Sequence, residues 1–165
     1  MEILFVCSGN TCRSAMAEAL LRELTAAAGM EDVTASSAGT YASPGEPASI
    51  GAVAVMDQMG ADLHLHRATR LGKGQIEAAD LVLCMGASHR KAVLTLCPEA
   101  AGKTRLLLSF ACGLEEDVQD PFGGDSAVYE ACASQLCLAV AACLMKLRPE
   151  RAQRIRQLLD TQGME

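Results

Sequence analysis

Short apolar runs alternate with longer segments of helical periodicity along most of the chain. The apolar runs predict four strands, at residues 3–6, 33–38, 81–84 and 104–110. Between the runs, apolar residues recur every three or four positions, which is typical of helices that bury one face. The predicted helices span residues 16–28, 47–59, 75–79 and 88–96. Strands that alternate with helices form a parallel sheet covered on both faces, so the pattern predicts one α/β domain of the flavodoxin-like, three-layer type.

The same pattern predicts details of individual elements. The helix over 47–59 should turn its aliphatic residues inward, namely Ile50, Val53 and Met56 or Val55. Ser88 stands at the start of the helix over 88–96, where its hydroxyl can accept a hydrogen bond from a free backbone N–H and cap the helix. The run 81–84 is apolar without alternation, which indicates a strand buried on both faces.

The last third of the chain is a polar loop followed by a long apolar helix. Residues 113–125 are rich in acidic side chains, whereas residues 126–147 are nearly all apolar and predict a helix packed in the interior. Pro149 ends this helix, and a basic amphipathic piece follows, which we expect to be a solvated terminal helix rather than a docking surface. We therefore expect a main domain at 1–148 and a helical tail at 149–165.

Composition and charge narrow the class of protein. The chain has 165 residues, half of them hydrophobic, so one domain with a sizeable core is expected. The formal net charge of −6 argues against nucleic acid as the main partner. The N-terminal apolar run is too short for a signal peptide, and the longest apolar stretch, 136–145, is too short to cross a bilayer. We therefore expect a soluble, cytoplasmic protein with no membrane partner. The oligomeric state is left open.

The eight cysteines do not indicate a disulfide framework in such a protein. A cytoplasmic chain with a large core does not need covalent cross-links. No two cysteines have the Cys-x2-Cys spacing of structural zinc sites, so we expect no structural metal.

The clearest chemistry lies in residues 7–14, Cys-Ser-Gly-Asn-Thr-Cys-Arg-Ser, which we call the Cys7 loop. The loop joins the first strand to the first helix, where a tight turn aims backbone N–H groups at one point and the helix dipole adds positive potential. That field favours a thiolate at Cys7, and the planar fork of Arg13 can bind two oxygens of a tetrahedral anion. Gly9 and Asn10 tolerate the left-handed backbone that such a turn needs. The final serine can donate a hydrogen bond to the cysteine sulfur.

A second Cys-x5-Arg match runs from Cys84 to Arg90. The spacing alone is expected by chance in a chain of this composition, so the chemistry of the loop has to decide between the two. The second match has one glycine, no asparagine and no serine after the arginine. We therefore assign the anion cradle to the Cys7 loop.

The Cys7 loop and the Met-Ala-Glu-Ala that follows at 16–19 resemble the phosphate-binding loop of the low-molecular-weight protein tyrosine phosphatase family. The family usually has proline where this chain has Ala15, which also suits a first helical turn. The resemblance covers about residues 1–148 and implies a metal-independent phosphatase domain without a cofactor. It implies Cys7 as the nucleophile and Arg13 as the ligand of the phosphoryl oxygens. The further phosphate-binding residues that it implies are Ser8, Gly9, Asn10, Thr11, Cys12 and Ser14.

Asp120 is the expected general acid and base. The residue before a proline is held extended, so Pro121 fixes the direction of the Asp120 carboxylate. Asp-Pro-aromatic in this order resembles the general-acid motif of the family, and a leaving group and a water both need such a proton carrier. The other acidic residues of the same loop are expected to be solvated charges: Glu115, Glu116, Asp117 and Asp125. Tyr41 and Phe122 resemble the aromatic walls of the family's substrate cleft, although two glycines follow Phe122 where some members have a second aromatic.

Two further residue types take their expected roles from the resemblance. It suggests that Cys12 forms a disulfide with Cys7 on oxidation and so protects the nucleophile, whereas a purely structural reading makes Cys12 a small hydrophobic residue. His64 and His66 are two residues apart and could ligate a metal. His66 with Arg67, however, resembles a family segment with structural roles, and we favour that interpretation.

The substrate class depends on Thr11. Tyrosine-specific members usually have a larger aliphatic residue at this place, and threonine here, with the later Asp-Pro-Phe-Gly-Gly, resembles the protein arginine phosphatase branch. The Thr11 hydroxyl can hold a water or the guanidinium side of phosphoarginine. We therefore expect a phosphorylated protein as partner, with phosphoarginine favoured and phosphotyrosine as the alternative.

Two functions of other classes stay open at this point. Arsenate reduction would need a relay of cysteines near the nucleophile, for which Cys84 and Cys97 are candidates. A phosphocarrier would keep its phosphocysteine, and an acid such as Asp120 that activates water argues against it.

Overall fold

The computed structural model describes residues 1–163, and a four-stranded parallel sheet forms its centre. The strands are β1 (Glu2–Cys7), β2 (Thr34–Gly39), β3 (Leu81–Cys84) and β4 (Thr104–Leu106). Their spatial order is β2-β1-β3-β4, so the chain runs outward from β1 to β2 and then crosses back to the other side of β1. In such sheets ligands bind at the carboxyl ends of the strands, beside the strand where the order reverses. That place is the end of β1, at Cys7.

Helices cover both faces of the sheet, as the alternation of strands and helices predicts. They are α1 (Arg13–Ala28), α2 (Ile50–Gln58), α3 (Lys73–Ala78), α4 (Ala87–Leu96), α5 (Leu107–Cys112), α6 (Ser126–Leu147) and α7 (Ala152–Thr161). Successive residues of β1 point to opposite faces. Ile3 and Phe5 therefore join the core under α1 and α6, whereas Leu4 and Val6 join a smaller core under α3 and α4. The predicted flavodoxin-like fold class is confirmed.

The predicted fourth strand is too long. The strand stops at Leu106, and residues 107–112 form α5. Leu107 and Leu108 are buried in the larger core, so the apolar run is continuous although the backbone changes from strand to helix. A short apolar run does not distinguish a buried strand from a buried helix, and this ambiguity explains the error.

Two predicted details of the helices are wrong. Ile50 is 90 % exposed, because α2 begins only there, one residue after its cap Ser49, and its first turn lies at the surface. The rest of the predicted inward face of α2 is confirmed, because Val55 and Met56 are buried and Val53 packs against the core, and Ala52 joins them. Helix α4 begins at Ala87 rather than Ser88, and the carboxylate of Asp117 accepts the hydrogen bond from the Ala87 N–H at 3.0 Å. A side chain thirty residues away thus does the capping that the sequence suggested for a local serine.

Helix α6 is long and apolar enough, by length and composition, to cross a membrane, and within residues 1–163 it is the one helix of which this is true. The apolar stretch is therefore longer than the sequence analysis suggested. The helix packs against α1, α2 and α5, and 56 % of its most apolar window is buried inside the protein. Its composition is thus explained by its place in the core.

The C-terminal helix α7 joins the main core. It packs on α1 and α6 and buries Ile155 and Leu159 in the same cluster as the residues of β1. The boundary between a domain at 1–148 and a tail at 149–165 stays a prediction. Residues 164–165 of that tail lie outside the described residues.

Candidate active site

The Cys7 loop turns sharply at Asn10, whose φ of 55° lies in the left-handed region that non-glycine residues seldom adopt. Asn10 is fully buried and, besides the bond from its N–H to Cys7, is held by four hydrogen bonds. Its main-chain oxygen accepts from His66 Nε2 at 2.6 Å, and its side-chain oxygen accepts from the Thr69 N–H at 2.9 Å. Its side-chain nitrogen donates to Ser14 Oγ at 2.8 Å and to Ser37 Oγ at 2.9 Å. The turn is therefore fixed by the segments around it.

The sulfur of Cys7 faces two hydrogen-bond donors. Ser14 Oγ lies 2.8 Å from Cys7 Sγ, and the Asn10 N–H donates to the sulfur at 3.3 Å. Because Ser14 Oγ already accepts the amide of Asn10, its own proton is free to point at the sulfur. Such donors stabilise a thiolate, and this is the role that the sequence predicts for Ser14.

The hydrogen-bond chain continues away from the sulfur to a carboxylate. Ser37 Oγ donates to Glu18 Oε2 at 2.5 Å, so Glu18 ends a chain that runs through Ser37, Asn10 and Ser14 to Cys7. The sequence analysis did not find Glu18 and Ser37, although Glu18 follows Ser14 by one helical turn. These two residues also line a cleft of about 530 Å³ behind the loop, which is larger than the cavity at Cys7 but has no cysteine among its lining residues within 1–163.

Arg13 and Asp120, 107 positions apart in sequence, meet beside Cys7. The side chain of Arg13 is buried, donates to the Val118 main-chain oxygen at 3.1 Å and lies 3.5 Å from the Asp120 carboxylate. The other oxygen of Asp120 accepts from the Phe122 N–H at 3.1 Å, which fixes the direction of the carboxylate beyond what Pro121 provides. The guanidinium group of Arg13 thus anchors the loop over residues 113–125 beside Cys7.

The residues meet around a cavity of about 230 Å³. It is lined by Cys7, Gly9, Thr11, Cys12, Arg13, Glu46, Asp120 and Phe122. Seven of these eight residues were expected from the sequence, and Glu46 was not. Its loop follows β2 and carries no motif, so only the fold places it here. The arrangement offers a nucleophilic sulfur, a cation and a carboxylate to one small anion.

Tyr41 is the predicted cleft residue that does not line this cavity. Its side chain is 81 % exposed. Its N–H donates to the Ser8 main-chain oxygen at 2.9 Å, so the backbone of Tyr41 is next to the Cys7 loop while the ring lies in solvent. Gly39, just before it, has no room for a side chain, because a Cβ there would lie 2.4 Å from the Ser8 oxygen. The role of Tyr41 as a wall of the substrate cleft stays a prediction.

Cys12 lies in a small polar cluster on the other side of the loop. Its sulfur is 3.1 Å from Ser49 Oγ and 3.5 Å from the Tyr129 hydroxyl, and these two oxygens are 3.2 Å apart. Burial raises the pKa of Tyr129 to about 12, and the hydrogen bond with Cys12 contributes, so the phenol is neutral. The Ser49 N–H donates to the Thr11 main-chain oxygen at 3.0 Å, which ties the start of α2 to the Cys7 loop.

His89 is a further residue that sequence reasoning missed. Its Nε2 lies 2.9 Å from Ser8 Oγ, and the ring is buried with no hydrogen-bond partner for Nδ1 within residues 1–163. Burial and then the positive charge of Arg13 lower the pKa of His89 to about 4. A neutral imidazole therefore supports the second residue of the loop.

The second Cys-x5-Arg match forms no cradle. Cys84 is fully buried at the end of β3, and burial raises its pKa to about 12. Arg90 donates to the Thr104 main-chain oxygen. Cys84 and Cys97 both lie in the smaller core, on the opposite face of the sheet from the core that contains Cys7. They are therefore not placed to relay electrons to it.

The two histidines of the predicted metal alternative have separate partners. His64 Nε2 pairs with the Asp57 carboxylate at 3.0 Å, whereas His66 supports the Asn10 turn. In the described residues no group of three or more histidine, cysteine or acidic side chains is arranged to hold a metal ion.

Known proteins share this fold and sequence. Residues 2–153 match the family described as low molecular weight phosphotyrosine protein phosphatase. A protein-arginine-phosphatase of Geobacillus stearothermophilus is 39 % identical over 150 residues, which cover 91 % of this chain and 98 % of the relative. The crystal structure of a low molecular weight protein tyrosine phosphatase from T. tengcongensis is 41 % identical, with a TM-score of 0.85, and the match covers 88 % of this chain and 99 % of that one.

A structure of the YwlE arginine phosphatase, a C7S mutant with a phosphorylated active-site serine, is also similar, at 34 % identity and a TM-score of 0.83. It matches 92 % of this chain and 99 % of that one. Sequence and fold agree over nearly the whole length of each relative. The chain therefore belongs to the low molecular weight phosphotyrosine protein phosphatase family.

Proposed function

We propose that this protein is a cysteine-dependent protein phosphatase that hydrolyses phosphorylated side chains through a phosphocysteine intermediate, with phosphoarginine as the favoured substrate. One observation carries the proposal: Cys7, Arg13 and Asp120 line a single cavity at the carboxyl end of β1. The names of the relatives agree, since they include arginine and tyrosine phosphatases.

The first step transfers the phosphoryl group to the enzyme. The Cys7 thiolate attacks phosphorus, an S–P bond forms, and the bond from phosphorus to the substrate nitrogen or oxygen breaks. Asp120 gives its proton to the leaving atom. Arg13 and the loop N–H groups stabilise the equatorial oxygens, most strongly when their charge is greatest. The related structure with a phosphorylated serine in place of the active-site cysteine supports an acceptor at this position.

The second step returns the enzyme to its starting state. Asp120, now a carboxylate, takes a proton from a water molecule as the water oxygen attacks phosphorus. The S–P bond breaks and phosphate leaves. The electron pair stays on Cys7, where Ser14 and the Asn10 N–H stabilise the thiolate. The chemistry needs no metal or cofactor, because the loop supplies the positive potential.

The surroundings of the cavity favour phosphoarginine. Its guanidinium group carries positive charge next to the phosphoryl group, and Glu46, whose carboxylate complements that charge, lines the same cavity as Thr11. The Thr11 hydroxyl leaves space and a polar atom where an isoleucine would fill the site. Phosphotyrosine is the second candidate, because the exposed ring of Phe122 offers an aromatic wall.

Several roles go with this function. The partner is a phosphorylated protein rather than nucleic acid or membrane, and the protein acts in the cytoplasm. Cys12, which lines the cavity with Cys7, protects the nucleophile by forming a disulfide with it on oxidation. Residues 1–148 carry the activity, whereas α7 completes the core, and none of residues 149–163 lines the cavity at Cys7.

Phosphate release from matched phosphoarginine and phosphotyrosine peptides tests the substrate class, with Cys7→Ser as the blank and Thr11→Ile as the probe. We expect wild type to prefer phosphoarginine and Thr11→Ile to reverse the order. A preference for phosphotyrosine in both proteins would make this chain a tyrosine phosphatase in which Thr11 only fills space. Release by Cys7→Ser at the wild-type rate would exclude the cysteine mechanism altogether.

A further inference from the structure

We propose that an apolar groove beside the active-site cavity binds the substrate polypeptide next to its phosphorylated residue and accepts an apolar side chain there. The groove lies between the start of α2 and residues 122–130, and its volume is about 380 Å³. We call it the flanking groove. The inference rests on the proposed function in one respect, that the substrate is a phosphorylated polypeptide rather than a small phosphate ester.

Two large apolar side chains form the walls of the flanking groove and are left uncovered. Ile50 is 90 % exposed and Phe122 is 75 % exposed, and both line the groove. An isoleucine at the first position of α2 gains nothing from this exposure in the isolated chain. Adjacent uncovered apolar side chains are characteristic of binding surfaces.

The groove is continuous with the cavity that contains Cys7. Phe122 lines both. Ser49 lies on the opposite wall, and its Oγ is 3.1 Å from the Cys12 sulfur. Its N–H donates a hydrogen bond to the Thr11 main-chain oxygen. Since one residue of extended chain spans about 3.3–3.6 Å, a residue one or two positions from a phosphoarginine in the cavity reaches the groove.

The floor of the groove is built without side chains that would fill it. At Gly51 a Cβ would lie 2.5 Å from the Tyr129 ring, and at Gly124 a Cβ would lie 2.7 Å from Val128. The two glycines therefore let α2 and the loop before α6 approach these side chains closely. The groove is preformed, which lowers the entropic cost of binding a side chain in it.

Charge indicates the nature of the occupant. Asp125 and Glu130 line the groove, Glu46 lines the neighbouring cavity, and none of the groove's lining residues within 1–163 is a lysine or an arginine. A segment with a basic residue after the apolar one complements these carboxylates. The occupant is therefore an extended, basic segment that carries phosphoarginine and an aliphatic or aromatic residue beside it.

The test compares two phosphoarginine peptides that differ in one residue beside the phosphoarginine, leucine in one and serine in the other. For wild type we expect a KM about 10-fold lower for the leucine peptide, since the groove buries one aliphatic side chain, and a similar kcat for both. Ile50→Ser should bring the KM ratio close to 1. The control Leu65→Ser, which removes an apolar side chain that is 85 % exposed but lies in the cleft behind the loop, should keep the ratio.

The outcomes separate the groove from the proposed function. Equal KM values for the two peptides in wild type, or an unchanged ratio in Ile50→Ser, would overturn the groove and leave the phosphatase intact. Phosphotyrosine peptides with the same neighbouring residues test the substrate assignment separately. If only these peptides are hydrolysed, and the leucine peptide still has the lower KM, the phosphoarginine assignment fails and the groove stands. A wild-type dimer in sedimentation that Ile50→Ser converts to monomer would assign the groove to a second copy of the chain and overturn the proposal.

Discussion

The Cys7 loop and the loop over residues 113–125, which carries Asp120, face the same cavity but are held in different ways. Asn10 and Ser14 in the Cys7 loop are fully buried and hydrogen-bonded on all sides. The side chain of Asp120 is 51 % exposed, Phe122 is 75 % exposed, and Arg13 is the main anchor between the two loops. The contrast teaches that the loop of the proposed nucleophile is preorganised by the core, whereas the proposed proton carrier and the aromatic beside it lie at the surface, where a substrate polypeptide can reach them.

The largest expected effect comes from Arg13, where the two loops meet. Arg13→Lys replaces a fork that contacts Val118 and Asp120, and that we propose binds the phosphoryl oxygens, by a single ammonium group. We expect kcat to fall about 10³-fold. Arg90→Lys, the arginine of the second Cys-x5-Arg match, should keep the wild-type kcat in the same phosphate-release assay. A loss of less than about 10-fold in Arg13→Lys would show that the cation does not stabilise the transition state.

Asn10 and Phe122 give the sharpest contrast between the loops. Asn10→Ala removes the side-chain bonds to Ser14, Ser37 and Thr69 and leaves buried groups unpaired, so the free energy of unfolding should fall by about 3 kcal/mol. Phe122→Ala should change it by less than about 0.5 kcal/mol but raise KM. Urea unfolding and steady-state kinetics on both variants measure this. Equal losses of stability would contradict the contrast.

His89, which supports the Cys7 loop, should make the free energy of unfolding depend on pH. Its folded pKa is about 4 and its ordinary value is 6.5, so the unfolded chain takes up the proton first as pH falls. The folded state is therefore destabilised between pH 6.5 and about 4, by about 2–3 kcal/mol at the lower end. His89→Gln should lose this part of the pH dependence in urea unfolding at pH 7, 5 and 4. The nearby Arg13, Asp117 and Asp120 are unchanged in that variant, so an identical pH dependence in both proteins would exclude His89 as its source.

The smallest expected effect is at Tyr129, behind Cys12. Tyr129→Phe removes the hydroxyl that contacts Cys12 and Ser49 while keeping the buried ring. We expect a loss of about 1 kcal/mol in the free energy of unfolding and little change in kcat, measured side by side. A large fall in kcat at wild-type stability would instead give the phenol a part in the chemistry.

The sequence predicts the Cys7 loop better than it predicts the contacts that hold the loop in place. The Cys7 loop is predicted nearly completely, because strand, tight turn and helix follow each other locally and the chemistry of the turn is in the motif. Among its supports, the family resemblance predicts a structural role for His66 but not its contact, and Ser37 and His89 are not predicted, because all three reach the loop from other segments. These contacts depend on the order of the strands and have no signal in the local pattern.

The outer parts of the site show the limits of periodicity. Ile50 fits the inward face of a helix that begins at 47, but the helix begins at Ile50 itself, so the residue lies at the surface. Residues 107–110 continue an apolar run, yet the backbone turns into α5. In both cases the apolar pattern is real, but it does not show at which residue a helix or a strand begins or ends.

The most direct test of the account is to locate the phosphoryl group during turnover. Asp120→Asn keeps the shape of the side chain but can neither protonate a leaving group nor activate water. With p-nitrophenyl phosphate, whose leaving group needs no proton, the first step should still proceed and the phosphoenzyme should accumulate. Rapid quench with p-nitrophenyl phosphate, followed by digestion and mass spectrometry, should find one phosphoryl group, on the Cys7 sulfur, and none at residue 7 in Cys7→Ala/Asp120→Asn at the same time point. A phosphoryl group on another residue, or full turnover with no phosphoenzyme in Asp120→Asn, would contradict the central claim that Cys7 and Asp120 act in sequence on one cavity.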